Sequence, residues 1–206
     1  MRHVLEIKNI TKSFDNYSVF ENINYKFESG KVYALTGPSG GGKTTFLNSI
    51  GRLIKLDSGT ILLDNENIEK INVHKYYQNY VGYLFQNYAL VDEDTVLKNL
   101  NIVKKHKKPI LTNSLKKFGL SEEYLSRKVY TLSGGEAQRI ALARLSLQNP
   151  EIILADEPTG ALDHENRNLV LKSLHNLANE NKIVIVATHD DIVKNYVDEC
   201  LDITNL

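Results

Sequence analysis

The run Gly37-Pro38-Ser39-Gly40-Gly41-Gly42-Lys43-Thr44 constrains this chain most, because it fits G-x-x-x-x-G-K-[ST] in the setting where that pattern has a mechanism. Val32 to Thr36 before it is a compact apolar run of strand length, and the residues from Thr44 to about Ile54 read as a helix. Glycines allow a backbone to wrap closely, so that several N–H groups point at phosphate oxygens. The positive end of the helix dipole adds to this attraction. In such a loop Lys43 reaches the β and γ phosphates and Thr44, followed by Thr45, offers a hydroxyl to Mg²⁺. A plain glycine-rich turn is the competing reading, and it leaves the strand, the helix and both polar residues unexplained. The motif alone implies a nucleoside triphosphate and names no base.

The rest of the chain supplies what such a loop needs. Ile152-Ile153-Leu154-Ala155 and Ile183 to Ala187 are buried-type strands, alternating with helices at about Gly135–Leu147 and around Val170, Leu174, Leu177 and Ala178. That alternation predicts an α/β fold with a P-loop core built on a parallel sheet. Leu5-Glu6-Ile7-Lys8 alternates apolar and charged, which predicts an edge strand of an antiparallel pair, with a second strand near Ile23 to Phe27. Asp57-Ser58-Gly59 reads as a turn before a strand at Thr60 to Leu63. Between about 87 and 145 the pattern turns helical: Val96, Leu100 and Val103 share one spacing, Leu111, Leu115 and Phe118 another, and Gly119 reads as a helix stop. We therefore expect one domain over 1–206 with a helical subdomain inserted at about 87–145 and an antiparallel subdomain at one edge. Lys104-Lys105-His106-Lys107-Lys108 is a solvated loop or a contact for an anionic surface.

The strand at 152–155 ends in Asp156-Glu157. An acidic pair at a strand end is often only a solvated stop. Downstream of a phosphate cradle, Asp156 is expected to hold Mg²⁺ and Glu157 to polarise an attacking water. GTPase chemistry is disfavoured, because the base-reading N-K-x-D pattern is missing: Asn181-Lys182-Ile183-Val184 lacks the aspartate.

Bulk composition closes other routes. Lys plus Arg equals Asp plus Glu, so net charge gives no argument for nucleic-acid binding. Cys200 is the single cysteine and cannot form an internal disulfide, which fits a reducing compartment. No apolar run approaches ~18 residues, and charge interrupts the opening MRHVLEIKN, so neither a membrane span nor a secretory signal is expected. The sequon Asn16-Tyr17-Ser18 then reads as an ordinary loop.

Leu132-Ser133-Gly134-Gly135-Glu136-Ala137-Gln138-Arg139 closely resembles the signature of ABC-type ATPases, commonest as LSGGQ. Locally Ser133 and Glu136 also form a capping box, and two glycines inside it are costly unless something approaches the backbone closely. The resemblance extends over nearly the whole chain. Phe14 falls where the family stacks an aromatic on adenine, although a tyrosine is common there. Gln86 in Tyr83-Leu84-Phe85-Gln86-Asn87 matches the Q-loop, which senses Mg²⁺ and contacts the membrane partner. Ala161-Leu162-Asp163 matches the D-loop, and His189 in Ala187-Thr188-His189-Asp190 matches the switch histidine, a residue that standing alone is more often structural.

This resemblance implies an ATPase that pairs head to tail with a second copy of itself around two ATP molecules. Each site then takes Phe14, the 37–45 loop, Gln86, Asp156, Glu157 and His189 from one chain. Ser133, Gly134 and Gly135 come from the other, Asp163 is a further nucleotide contact, and Glu136, standing in for Gln, brings a carboxylate near the γ-phosphate, which argues against direct contact through that side chain. Metal contacts are expected from Thr44, Gln86 and Asp156, and catalytic roles for Glu157, His189 and Gln86. The interval from Lys43 to Ser133 is too short for the long coiled coil of chromosome and repair relatives, and one cassette is fewer than ribosomal relatives carry. What remains is the subunit that powers a transmembrane permease from the cytoplasmic face of the membrane. Ala155 to Asp163 resembles the lipoprotein-release, macrolide-export and cell-division group, and Phe85 to Leu90 with the acidic Asp92-Glu93-Asp94 looks most like bacteriocin or peptide-antibiotic exporters. A regulatory cassette signalling through a membrane partner, or a lipoprotein-release subunit, is the alternative.

Overall fold

The computed structural model describes residues 2–15, 17–160 and 162–206; the sequon's Asn16 and Ala161 of the 161–163 turn lie outside the described residues. Two sheets organise the chain. The first is antiparallel, built from β1 (Val4–Phe14), β2 (Tyr17–Glu28), β4 (Ser58–Leu63) and β5 (Glu66–Asn67), in the order β2-β1-β4-β5. The second is parallel, built from β3 (Lys31–Thr36), β6 (Val81–Leu84), β7 (Ile152–Asp156), β8 (Ile183–Ala187) and β9 (Glu199–Asp202), in the order β6-β7-β8-β3-β9. Helices α1 (Lys43–Ile50), α2 (Val73–Lys75), α3 (Val96–Leu100), α4 (Lys108–Lys117), α5 (Gly134–Gln148), α6 (His164–Asn179) and α7 (Asp191–Lys194) connect them.

The central strands β7 and β8 of the parallel sheet are almost wholly apolar because both of their faces are covered. Ile152 and Leu154 of β7, with Ile183 and Ile185 of β8, turn toward the antiparallel sheet and the buried Phe46, Leu47 and Ile50 of α1. Their neighbours Ile153, Ala155, Val184 and Val186 turn the other way, onto Ile140 and Leu142 of α5 and Val170 and Leu174 of α6. Two cores thus share one sheet.

Several expectations need correction. β1 is not an edge strand: it pairs with β2 on one side and β4 on the other, and its alternation reflects one buried face. Helix α1 ends at Ile50, not Ile54, because Gly51 caps it and Arg52 takes a left-handed φ of 54°. Ser58 and Gly59 belong to β4. A Cβ on Gly59 would lie 2.3 Å from the Asn9 carbonyl oxygen, where β1 is bulged, so glycine serves a close strand approach and not a turn. Val103 lies beyond α3, and the stretch from 101 to 107 is a bend. Gly119 does stop α4, with φ 72°.

Candidate functional site

Because all five strands of the second sheet run the same way, their carboxyl ends meet at one rim. The register sets Leu35 of β3, Ala187 of β8 and Asp156 of β7 side by side. The 37–42 loop leaves β3 there, Asp156 and Glu157 end β7, Thr188 and His189 follow β8, and Gln86 follows β6. Open α/β sheets bind ligands outside such a rim.

The loop's shape comes from its glycines. Gly42 takes φ 91°, and a Cβ there would lie 2.6 Å from Val19 Cγ1 of β2. Gly42 also begins α1 without any side-chain cap, and the first turn carries no acidic residue. The helix therefore presents N–H groups and an uncompensated positive dipole to the loop's interior. Lys43 is buried and folds back along the loop, its Nζ donating to the carbonyls of Gly37 and Pro38, each at 2.9 Å.

Beside the loop, Thr44 Oγ1 donates to Asp156 Oδ1 at 3.2 Å. Burial pushes the Asp156 carboxyl above its ordinary range, the hydrogen bond from Thr44 pulls it back, and the Glu157 charge raises it again. A hydroxyl and a desolvated carboxylate facing each other form the oxygen donor pair that a hard divalent cation takes. Glu157 has a left-handed φ of 46°, with its N–H donating to Ala187 O at 2.9 Å. Its Oε1 lies 2.7 Å from His189 Nδ1, and Thr188 Oγ1 donates to Oε2 at 3.3 Å. Thr188 has no separate place in the sequence reading; its hydroxyl beside His189 was the available signal.

Other expected residues stand apart. Phe14 is 49% exposed at the end of β1, with Lys12 Nζ over its ring at 4.9 Å from the centroid. Gln86 is exposed in the turn after β6. Asp163 caps α6, accepting from the Asn166 backbone N–H at 2.8 Å.

Ser133, Gly134 and Gly135 open α5 on the surface. Among the described residues no hydrogen bond joins them to the 37–44 loop of their own chain. The Glu136 carboxylate does not project from this turn as a free charge. Oε2 accepts from the Ser133 N–H at 2.7 Å, while Oε1 accepts from the Tyr124 hydroxyl and from Arg127 Nη1 at 3.2 Å. Chiefly through the Tyr124 hydroxyl, then the Ser133 N–H, its carboxyl is held down at about 2.

Residues 20–160 match the family model described as ABC transporter. The uncharacterized ABC transporter ATP-binding protein YclH of Bacillus subtilis (strain 168) is 37% identical over 181 residues, covering 84% of this chain and 80% of that protein. The lipoprotein-releasing system ATP-binding protein LolD of Leptospira interrogans serogroup Icterohaemorrhagiae serovar Lai (strain 56601) is 34% identical over 196 residues, covering 90% of this chain and 82% of LolD. Among solved structures, the dimeric MJ0796, a bacterial ABC transporter cassette, matches with a TM-score of 0.85 at 32% identity, over 97% of this chain and 94% of that one. MJ0796 is also known as a dimer in a post-hydrolysis state bound to ADP and Pi.

Proposed function

The chain belongs to the ABC transporter family, and from that premise we propose that it is the ATP-hydrolysing subunit of a permease, with two copies closing head to tail over two ATP molecules. The observation that carries this reading is that Ser133–Gly135 open a helix at the surface and, among the described hydrogen bonds, make none to the phosphate loop of the same chain. A helix start at the surface is an anion site, and a second copy's nucleotide can supply the anion. The dimeric relative MJ0796 supports a second copy as its counterpart.

Within one protomer the roles divide by position. The 37–42 backbone, Lys43, Thr44 and Thr45 cradle the triphosphate, and the exposed Phe14 receives the adenine. Thr44 and Asp156, with Gln86 closing in from β6, would hold Mg²⁺, whose charge offsets that of the phosphate oxygens. Glu157 takes the proton of the water that attacks the γ-phosphorus, and ADP departs with the electrons of the broken P–O bond. His189 and Thr188 orient that carboxylate. The partner copy adds Ser133, Gly134, Gly135 and Asp163, so loss of the γ-phosphate loosens the pair.

Among the described residues no helix is long and apolar enough to cross a membrane, and a separate permease chain would supply the membrane path in this reading. A groove lined by Leu53, Tyr83, Phe85, Ala89, Val103 and Arg144 lies next to Gln86 and suits a permease segment at the cytoplasmic face. The whole chain then acts as one domain with 87–145 as its inserted helical part. The wording of Phe85 to Leu90 and the acidic 92–94 run favour export of a bacteriocin-like peptide, while the similarity to LolD favours lipoprotein release as the second reading.

Turnover measured against protein concentration tests the composite site: the specific rate should fall toward zero as protomers are diluted below association. Full-rate hydrolysis by separated protomers would sink the proposal. For cargo, cells lacking the chain should stop secreting a small peptide; lipoproteins held at the inner membrane instead would favour the second reading.

A further inference from the structure

Asn166, in the first turn of α6, touches both elements that the composite-site reading presents to the partner copy. On one side, Arg139 of α5 donates to its Oδ1 through Nη2 at 3.0 Å and Nε at 3.3 Å. On the other, its Nδ2 donates to Asp163 Oδ2 at 2.7 Å, while its backbone N–H donates to Asp163 Oδ1 at 2.8 Å. Above it lies Gly135, where a Cβ would come within 2.8 Å of Asn166 Nδ2 and 3.0 Å of its Cγ. The backbone of the 133–135 turn therefore rests on this amide.

The chemistry of the position is narrow. The side chain must accept from a guanidinium on one face and donate to a carboxylate on the other, within the length of one short side chain. A carboxamide does both and carries no charge. An aspartate would keep the Arg139 contact but set two carboxylates against each other, and an apolar residue would leave a part-buried Arg139 without its acceptor. Asp163 itself is held below the usual carboxylate range, first by the Asn166 backbone N–H and then by its amide.

We propose that Asn166 is a positioning residue that ties the Ser133–Gly135 turn to Asp163, so that both contacts reach the partner's phosphate loop as one rigid unit. The proposal rests on the composite-site reading above. It concerns association and not nucleotide capture, because neither Asn166 nor Arg139 contacts the 37–44 loop in its own chain among the described hydrogen bonds.

The test uses the full chain in a Glu157→Gln background, where ATP-bound pairs persist. Calorimetry gives ATP affinity at protomer dilution, and sedimentation gives the concentration for half association with ATP. Asn166→Ala should leave the first unchanged and raise the second roughly tenfold, within the span of coupling energies between contacting residues. Arg139→Met should do the same, and the double variant should be no worse than either single, since both break one tie. Should Asn166→Ala not fold, Arg139→Met carries the comparison alone. Association at the parental concentration in either folded variant overturns the proposal, as does simple additivity in the double. If the Glu157→Gln parent itself never pairs with ATP, it is the composite-site reading that has failed.

Discussion

Glu157 Oε1 stands 2.7 Å from His189 Nδ1, with Thr188 Oγ1 on its other oxygen at 3.3 Å. For the carboxylate to hold this contact as an acceptor, Nδ1 must carry hydrogen, which leaves Nε2 free to turn toward the nucleotide. The backbone of Glu157 is left-handed, a conformation that costs a non-glycine residue about 1–2 kcal/mol and is paid for by surrounding structure. Both features fix the carboxylate in place before any substrate arrives. We therefore expect Glu157→Gln to bind ATP normally and lose ~10²–10⁴-fold in turnover, the scale of general-base loss. The variant should accumulate as an ATP-bound pair in size-exclusion chromatography. Near-normal turnover would remove Glu157 from its proposed role.

Lys43 makes its two short contacts to the loop that it serves, at the carbonyls of Gly37 and Pro38. It thus props the cradle with two of its three N–H donors and keeps the third for a phosphate oxygen. Lys43→Ala should weaken ATP binding by roughly tenfold to a hundredfold, since hydrogen bonds to charged groups contribute about 1.5–3 kcal/mol. It should also speed amide exchange in residues 37–42, because the props are gone. Unchanged affinity by calorimetry would contradict the cradle.

How much of this could be read from the chain before folding depends on the range of the interaction. The 37–44 loop, the Asp156-Glu157 pair and the 133–136 turn were legible because each is a local pattern with a local mechanism. The position of β1 was not, since its alternating residues describe a buried face and say nothing of neighbours on its two edges; the partner β4 lies some fifty positions away along the chain. β9 was missed for a related reason: Glu199 to Asp202 is short and half polar, and only its pairing with β3 makes it a strand. The partners of Glu136 were not legible, because Tyr124 and Arg127, which turn its carboxylate inward, precede the motif and belong to no motif themselves.

Gly42 gives a stability test of the same loop. Its φ of 91° and the 2.6 Å approach that a Cβ would make to Val19 Cγ1 leave an L-residue both strained and crowded. Gly42→Ala should lower the Tm by several degrees, given about 1–2 kcal/mol for the backbone alone and roughly 2–4 °C per kcal/mol in a chain of this size. ATP should restore less of that loss than it gives the parent, since the strained loop is also the binding surface. A variant with parental Tm by calorimetry would show that β2 yields freely at Val19.

Glu136 makes the start of α5 sensitive to acid. Its carboxyl is held at about 2, below the ordinary 4.5, first by the Tyr124 hydroxyl and next by the Ser133 N–H. A carboxyl whose folded value is depressed contributes stability that is fully present above the unfolded value. That contribution is lost as pH falls through the window from about 4.5 to about 2. Protection of the Ser133 and Glu136 amides from hydrogen exchange should therefore decline across this window before the buried β7 and β8 open. Tyr124→Phe removes the largest cause and should move the carboxyl midpoint, followed by carbon NMR of the side chain, back toward its ordinary value. Ser133→Ala should cost about 0.5–2 kcal/mol, as loss of a helix cap does, and leave the Tyr124 contact standing. A midpoint near 4.5 in the parent chain would mean that Glu136 is not turned inward, and the 133–136 turn would then present a free carboxylate to the partner's γ-phosphate.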